Sequence, residues 1–234
     1  YWGVGVRDAC RFFFYLCTSN EIVKNMIPET LKTYIETAII PRYEHFDKAH
    51  NLSHVQMVME ESMALCKLYP ETNPQMVYTI AAYHDLGLCK ERETHHIISG
   101  EILMADKQLR NWFTEEEILT MKEAVEDHRA SNKQKPRTIY GCIVAEADRQ
   151  IDTNITLLRT IQYGLRQAPN ASREWHYERF LHHLQEKYAP GGYLKLWIPE
   201  SKNATHLREL QAIIADKVAL RQRFDTLFDE ECKD

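Results

Sequence analysis

Several of this chain's eleven histidines stand beside acids in places where neither group serves solubility. The sharpest case is His84-Asp85, in Ala81-Ala82-Tyr83-His84-Asp85-Leu86-Gly87. Ile80, Ala81 and Ala82 lead into it, so an imidazole and a carboxylate arrive together at the end of an apolar helix. Burying both is costly unless both are satisfied. A divalent cation satisfies both, and imidazole nitrogen with carboxylate oxygen suits Mn, Fe, Co, Ni and Zn better than Ca. Two more residues fit the same need. His54 lies near the start of a helical segment and shares a face with Val58, Glu61 and Leu65. Asp148 has Val144 four residues before it and Ile151 three after, on an apolar helix stripe where a carboxylate requires a cation or strong donors. Each has an ordinary explanation when taken singly: a satisfied core histidine, or an aspartate paired with Arg149 or another arginine. Their order, a helix-start His, a helix-end His-Asp and an Asp on an apolar stripe, points to one metal centre with His54, His84, Asp85 and Asp148 as ligands.

The elements that must position these residues read as helices. Only 8 Gly and 8 Pro occur in 234 residues, which favours long helices over many short strands. Pro28 suits a first helical turn, with Leu31, Tyr34, Ile35, Ala38 and Ile39 following at helical spacing until Pro41 interrupts. Further helices are predicted over 53–69, 74–86 (ended by Gly87 as a C-terminal glycine), 96–109 and 114–128, the last opened by a Thr114/Glu117 capping box. Others follow over 138–152, 155–167 and 172–188. Pro190-Gly191-Gly192 reads as a turn, 193–197 as a short extended piece, and 204–228 as one long closing helix. Residues 1–27 form an aromatic, weakly patterned N-terminal extension, and 28–234 a single all-α domain.

The ligand-bearing blocks resemble those of the HD superfamily of metal-dependent phosphohydrolases, an all-α bundle whose pattern is His … His-Asp … Asp. His50-Asn51-Leu52-Ser53-His54-Val55 is similar to its first block, Ala82-Tyr83-His84-Asp85-Leu86-Gly87 to its central block, and Ala145-Glu146-Ala147-Asp148 to its last. The likeness covers a motif core of 48–155, with 156–234 as additional C-terminal helices, and is closest to small stand-alone bacterial HD proteins. It implies that His54, His84, Asp85 and Asp148 hold a divalent ion (Mn, Fe, Co, Ni, Zn or Mg), with His50 behind them. Superfamily members with two ions carry further histidines in the following intervals. His96, four residues before Gly100, and His128 match those positions as second-metal or substrate contacts, while His95 reads as a bystander. The implied reaction is attack of metal-bound hydroxide on a phosphate ester, with Asp85 and His84 as the catalytic pair. Two other readings stand beside it: a di-iron oxygenase on the same scaffold, and a non-catalytic metal-binding regulatory module.

A phosphorylated substrate should meet cations. Arg129, Lys133, Lys135 and Arg137 follow His128 directly, and Lys90 and Arg92 follow the central block. Arg129, Lys133 and Lys90 are the candidate phosphate contacts, against the plain alternative of a solvated loop. The expected substrate is a nucleotide or related small phosphorylated metabolite. No Gly-Tyr-Pro block follows His128, which disfavours the cyclic-di-GMP branch. A net charge of −5 argues against a nucleic-acid partner. No run approaches the ~20 apolar residues of a membrane span, and the six cysteines contain no C-x-x-C pair. The expectation is therefore a cytoplasmic protein with reduced thiols, no membrane association, and the closing helix available as a homodimer surface.

Overall fold

The computed structural model describes residues 26–46, 50–130, 132 and 134–232. Nearly all of the expected N-terminal extension, and Lys133, lie outside these. Every regular element among the described residues is helical, as predicted. The ten α-helices of the described residues are α1 (Glu29–Tyr34), α2 (Leu52–Cys66), α3 (Pro74–Tyr83), α4 (His95–Ala105), α5 (Glu115–Asp127), α6 (Ile139–Asp148), α7 (Thr153–Gln167), α8 (Arg173–Lys187), α9 (Lys202–Ala215) and α10 (Lys217–Glu231). They pack as two compact units. The first runs to His128 and includes Pro136–Ala147; the second comprises Arg129–Lys135 and everything from Asp148 onward.

In the first unit α2 packs on α3, and α3 and α4 both pack on α5. Val55, Val58, Val77, Ile80, Leu103, Ile118, Met121 and Val125 are fully buried between them. Local chemistry sets the boundaries. The Asn51 side chain accepts from His54 N and starts α2 one residue earlier than expected. The Thr114/Glu117 capping box is formed in both directions, each direction satisfying a backbone or hydroxyl donor left open at the helix start. Pro41 interrupts the first helical segment, as expected. The chain widens into a π turn (Ile35–Ile39) and then tightens into a 3-10 turn (Ile40–His45), in whose first turn the missing proline N–H costs nothing.

Gly87 is not a helix C-terminal glycine. Helix α3 ends at Tyr83, and Gly87 lies inside a 3-10 turn, Leu86–Cys89. Among the described residues only Gly191 has positive φ, at 85°, in the predicted Pro-Gly-Gly turn. Gly87 is instead required by contact: a Cβ there would lie 2.0 Å from the His95 carbonyl oxygen. This lets α4 lie directly on the turn, and Gly87 N donates to Ser99 Oγ at 2.8 Å.

Two other boundaries were misread for a common reason. The expected 96–109 helix breaks at Asp106, and the expected 204–228 helix breaks at Asp216. Both aspartates leave helical geometry and accept from backbone N–H groups of the next element, Gln108 for Asp106, Val218 and Ala219 for Asp216. A short acid that competes for backbone donors caps the following helix rather than continuing the previous one. Residues 193–197 are not a strand either; Tyr193 N and Leu194 N bond back to the Glu186 and Lys187 carbonyls at the end of α8.

The second unit closes on its own core of Leu157, Ile161, Phe180, Leu184, Leu210, Ile214, Leu220, Phe224 and Phe228. Beneath the aromatics His176 is 3% exposed, 5.4 Å from the Phe228 ring, and neither ring nitrogen has a well-aligned partner. Burial pushes its pKa below the ordinary histidine value and the Arg179 charge adds to this; the Ala168 backbone offsets them in part. The unfolded chain thus takes up a proton that the folded unit refuses, so stability falls as pH drops through about 6.5 and below. Substituting His176→Leu should flatten that acid loss, read as a smaller drop in Tm between pH 7.5 and pH 5 than in the parent.

Candidate metal centre

Asp85 is the focus of the first unit. It follows His84, the C-cap of α3, and is 3% exposed. Its backbone N–H donates to Tyr43 Oη at 3.3 Å, and that hydroxyl donates to the Ala82 carbonyl at 3.0 Å. One residue earlier in the chain than His84, the Tyr83 hydroxyl donates to Asp106 Oδ2 at 2.6 Å, an oxygen it shares with Tyr34. Burial, and then the hydrogen bond to Asp106, push the Tyr83 phenol far up, so it remains a donor. The end of α3 is thereby held from both sides.

Four imidazoles surround the Asp85 carboxylate, two for each oxygen. Oδ2 lies 3.3 Å from His84 Nε2 and 3.6 Å from His54 Nε2. Oδ1 lies 3.3 Å from His95 Nε2 and 3.4 Å from His128 Nε2. Within each pair the two Nε2 atoms face each other at 3.3 Å. Three of the rings are oriented by one device. Nδ1 of His84, His95 and His128 lies 2.6–2.7 Å from the carbonyl of the residue three before it: Ala81, Arg92 and Val125. A carbonyl only accepts, so each Nδ1 carries its proton and each Nε2 presents a lone pair inward.

That donor set fits a metal. At His95 and His128 two facing lone pairs and a carboxylate oxygen repel one another unless positive charge sits among them. Each set of three donors, His54/His84/Asp85 and Asp85/His95/His128, is compact enough to share one ion, with Asp85 common to both. Burial alone would raise the Asp85 carboxyl, but positive charge among the surrounding imidazoles, at His84 above all, outweighs it and holds the carboxyl well below the usual carboxylate range. Asp85 therefore stays anionic, as a metal ligand must.

The HD domain family matches residues 51–150. The chain carries an HD domain. HD domains belong to a superfamily of metal-dependent hydrolases and bind divalent metals, and the two His/Asp groups here could hold such an ion. No curated protein and no solved structure matches the chain.

Within the HD domain the structure rearranges part of the expected set. His54, His84 and Asp85 come together, and His128 joins Asp85, but the fourth imidazole is His95 rather than His96. Adjacent helical residues point about 100° apart, so only one of the two can face Asp85. His95 opens α4 where Gly87 admits its backbone against the turn, and the Arg92 carbonyl then aims its ring. The spacing to Gly100 that singled out His96 serves packing, because Gly100 lies against Glu126 and Lys122 of α5. The overlooked signal was His95's place directly after the polar turn, where a carbonyl three residues back is available to orient it.

Asp148 is the last residue of α6 and belongs to the second unit; neither three-donor group includes it. Arg129 is half-buried in the second unit and Lys90 is exposed past the Leu86–Cys89 turn. Arg137 is committed elsewhere. Its guanidinium binds Asp127 at 3.0 Å and Glu126 at 2.8 Å, and its N–H donates to Asp127 Oδ2 at 2.7 Å. It pins the end of α5 immediately before His128. No described helix is long and apolar enough to cross a membrane.

Proposed function

We propose that the domain is a phosphohydrolase that uses two divalent ions to cleave the phosphate ester of a nucleotide or related small phosphorylated metabolite. The observation that supports this reading best is the division of labour at Asp85, with one carboxylate oxygen beside His54 and His84 and the other beside His95 and His128. A divalent ion in such a site lowers the pKa of water toward neutrality and offsets charge growing on phosphoryl oxygens. The chain's own residues do the positioning. Three backbone carbonyls fix the tautomers, Tyr43 holds the Asp85 backbone, and burial of His84, Asp85 and His128 excludes competing solvent. The superfamily pattern adds Asp148 as a further ligand in this proposal.

The test is a panel of nucleotides and simple phosphate esters assayed with Mn, Co, Ni and Mg. Hydrolysis should require metal, stop with chelator and vanish in His84→Ala. Metal content should show two ions per chain in the parent and one in His95→Ala, with His96→Ala still at two. Iron retention with dioxygen consumption and no phosphate release would replace this reading by an oxygenase.

A further inference from the structure

The turn that follows His84 and Asp85 also forms one wall of a cavity. About 460 Å³ in volume, it is lined by His45, Phe46, Leu88, Cys89 and Arg92. That is within the size range of small-molecule sites. Its walls are the neighbours of the donor cluster. Leu88 belongs to the 3-10 turn, and its N–H donates to the Asp85 carbonyl at 3.0 Å. Phe46 packs edge-on against Tyr43 at 5.2 Å, and Tyr43 stacks on the His84 ring at 6.3 Å. The Arg92 carbonyl is the one that orients His95. Three independent contacts thus tie the cavity lining to His84, Asp85 and His95.

The lining has a definite chemistry. Among the described residues it offers a guanidinium, an imidazole and the ring of Phe46, with Leu88 and a thiol beside them. A free phosphate would leave the phenyl and leucine surfaces unused. A wholly apolar molecule would strip water from Arg92 without replacing its hydrogen bonds. A ligand with a planar ring close to an anionic group satisfies both parts.

We propose that this cavity receives the leaving group of the hydrolysed ester, and that it selects nucleoside monophosphates. Phe46 is the platform on which the base stacks, and Arg92, assisted by His45, binds a phosphoryl oxygen. The proposal rests on the phosphohydrolase reading of the Asp85 cluster. In the reaction the oxygen of water forms a new bond to phosphorus as the ester P–O bond breaks. One water proton ends on the departing nucleoside hydroxyl, and inorganic phosphate keeps the other.

Two measurements test it. The first compares kcat/KM for adenosine 5′-monophosphate and glycerol phosphate, which share the scissile group but not the ring. The parent should prefer the nucleotide. Because base stacking contributes about 1–3 kcal/mol, Phe46→Ala should shrink that preference by about 5- to 150-fold, chiefly through KM, and Phe46→Tyr should restore it. Arg92→Ala should raise KM for both esters. The second measurement follows alkylation of the exposed Cys89 by iodoacetamide, with the exposed Cys232 as internal reference. Adenosine 5′-monophosphate should protect Cys89 and leave Cys232 reactive, whereas glycerol phosphate should protect neither. Protection without any hydrolysis would uphold the pocket and remove the phosphohydrolase reading. Hydrolysis with an unchanged substrate ratio in Phe46→Ala and an unprotected Cys89 would overturn the pocket and leave that reading standing.

Discussion

Replacing Asp85 by asparagine is expected to empty both donor groups at once and to lower hydrolysis by about three orders of magnitude or more, roughly 4 kcal/mol of transition-state stabilisation. The substitution keeps the shape of the side chain and removes its charge. No other residue in the cluster touches all four imidazoles: Oδ2 serves His54 and His84 while Oδ1 serves His95 and His128. An amide presents one oxygen and one NH2 group, so it offers a ligand atom to one pair and two protons to the other. Loss of partners one layer removed from a metal already costs about 10- to 100-fold in affinity, and loss of the shared ligand should cost more. Elemental analysis after gel filtration should therefore find little metal in Asp85→Asn. His54→Ala and His95→Ala should each retain one ion. Circular dichroism should still report a helical protein, because the amide keeps the size and shape of the carboxylate it replaces. An Asp85→Asn protein that keeps two ions and parental turnover would eliminate the shared-carboxylate centre.

The cluster was partly legible in the sequence because its strongest members sit on apolar helices. His84 and Asp85 follow Ile80, Ala81 and Ala82, and a charge at the end of such a run announces that something must satisfy it. His128 carried a weaker signal, as the last residue of a well-capped helix. The choice between His95 and His96 could not be made from spacing. It depends on where α4 starts, and that depends on a backbone contact between Gly87 and His95 that has no signature in composition or periodicity. The helices themselves follow from their apolar stripes and caps. The breaks at Asp106 and Asp216 were lost for the opposite reason: an aspartate inside an amphipathic pattern looks like one more solvent-facing residue until its side chain is seen capping the next element. The Phe46–Arg92 cavity was invisible because its lining comes from two short segments about forty residues apart, neither with a periodic pattern. Of the cations after His128, Arg137, which was not among the candidate phosphate contacts, is spent on Asp127, Glu126 and Glu123.

Gly87→Ala should therefore be among the most damaging single-methyl changes in the first unit. The added Cβ would sit 2.0 Å from the His95 carbonyl oxygen, 2.8 Å from its carbonyl carbon and 2.8 Å from Ser99 N. All three are backbone atoms in the first turns of α4, so no rotamer change relieves the clash. Either the turn or the helix must retreat by roughly 1 Å or more, because ordinary carbon contacts begin near 3.5 Å. Moving the turn displaces Asp85, whose carbonyl accepts from Leu88 N. Moving α4 withdraws His95 from Oδ1, a separation now of 3.3 Å. The Gly87 N to Ser99 Oγ hydrogen bond, buried at 2.8 Å, is strained in both cases. Overpacking of this kind commonly costs about 1–3 kcal/mol, and a backbone-on-backbone clash belongs at or above the upper end. The expected result is a clearly lowered Tm together with a fall from two ions to one, since His54 and His84 depend on α2 and α3 rather than on α4. His95→Ala supplies the contrast. It removes a ring at the edge of the site without disturbing the turn, so it should lose the same ion with a much smaller change in Tm. If Gly87→Ala binds two ions and melts with the parent, then contact with α4 is not what demands glycine in His-Asp-Leu-Gly, and the placement of His95 needs another cause.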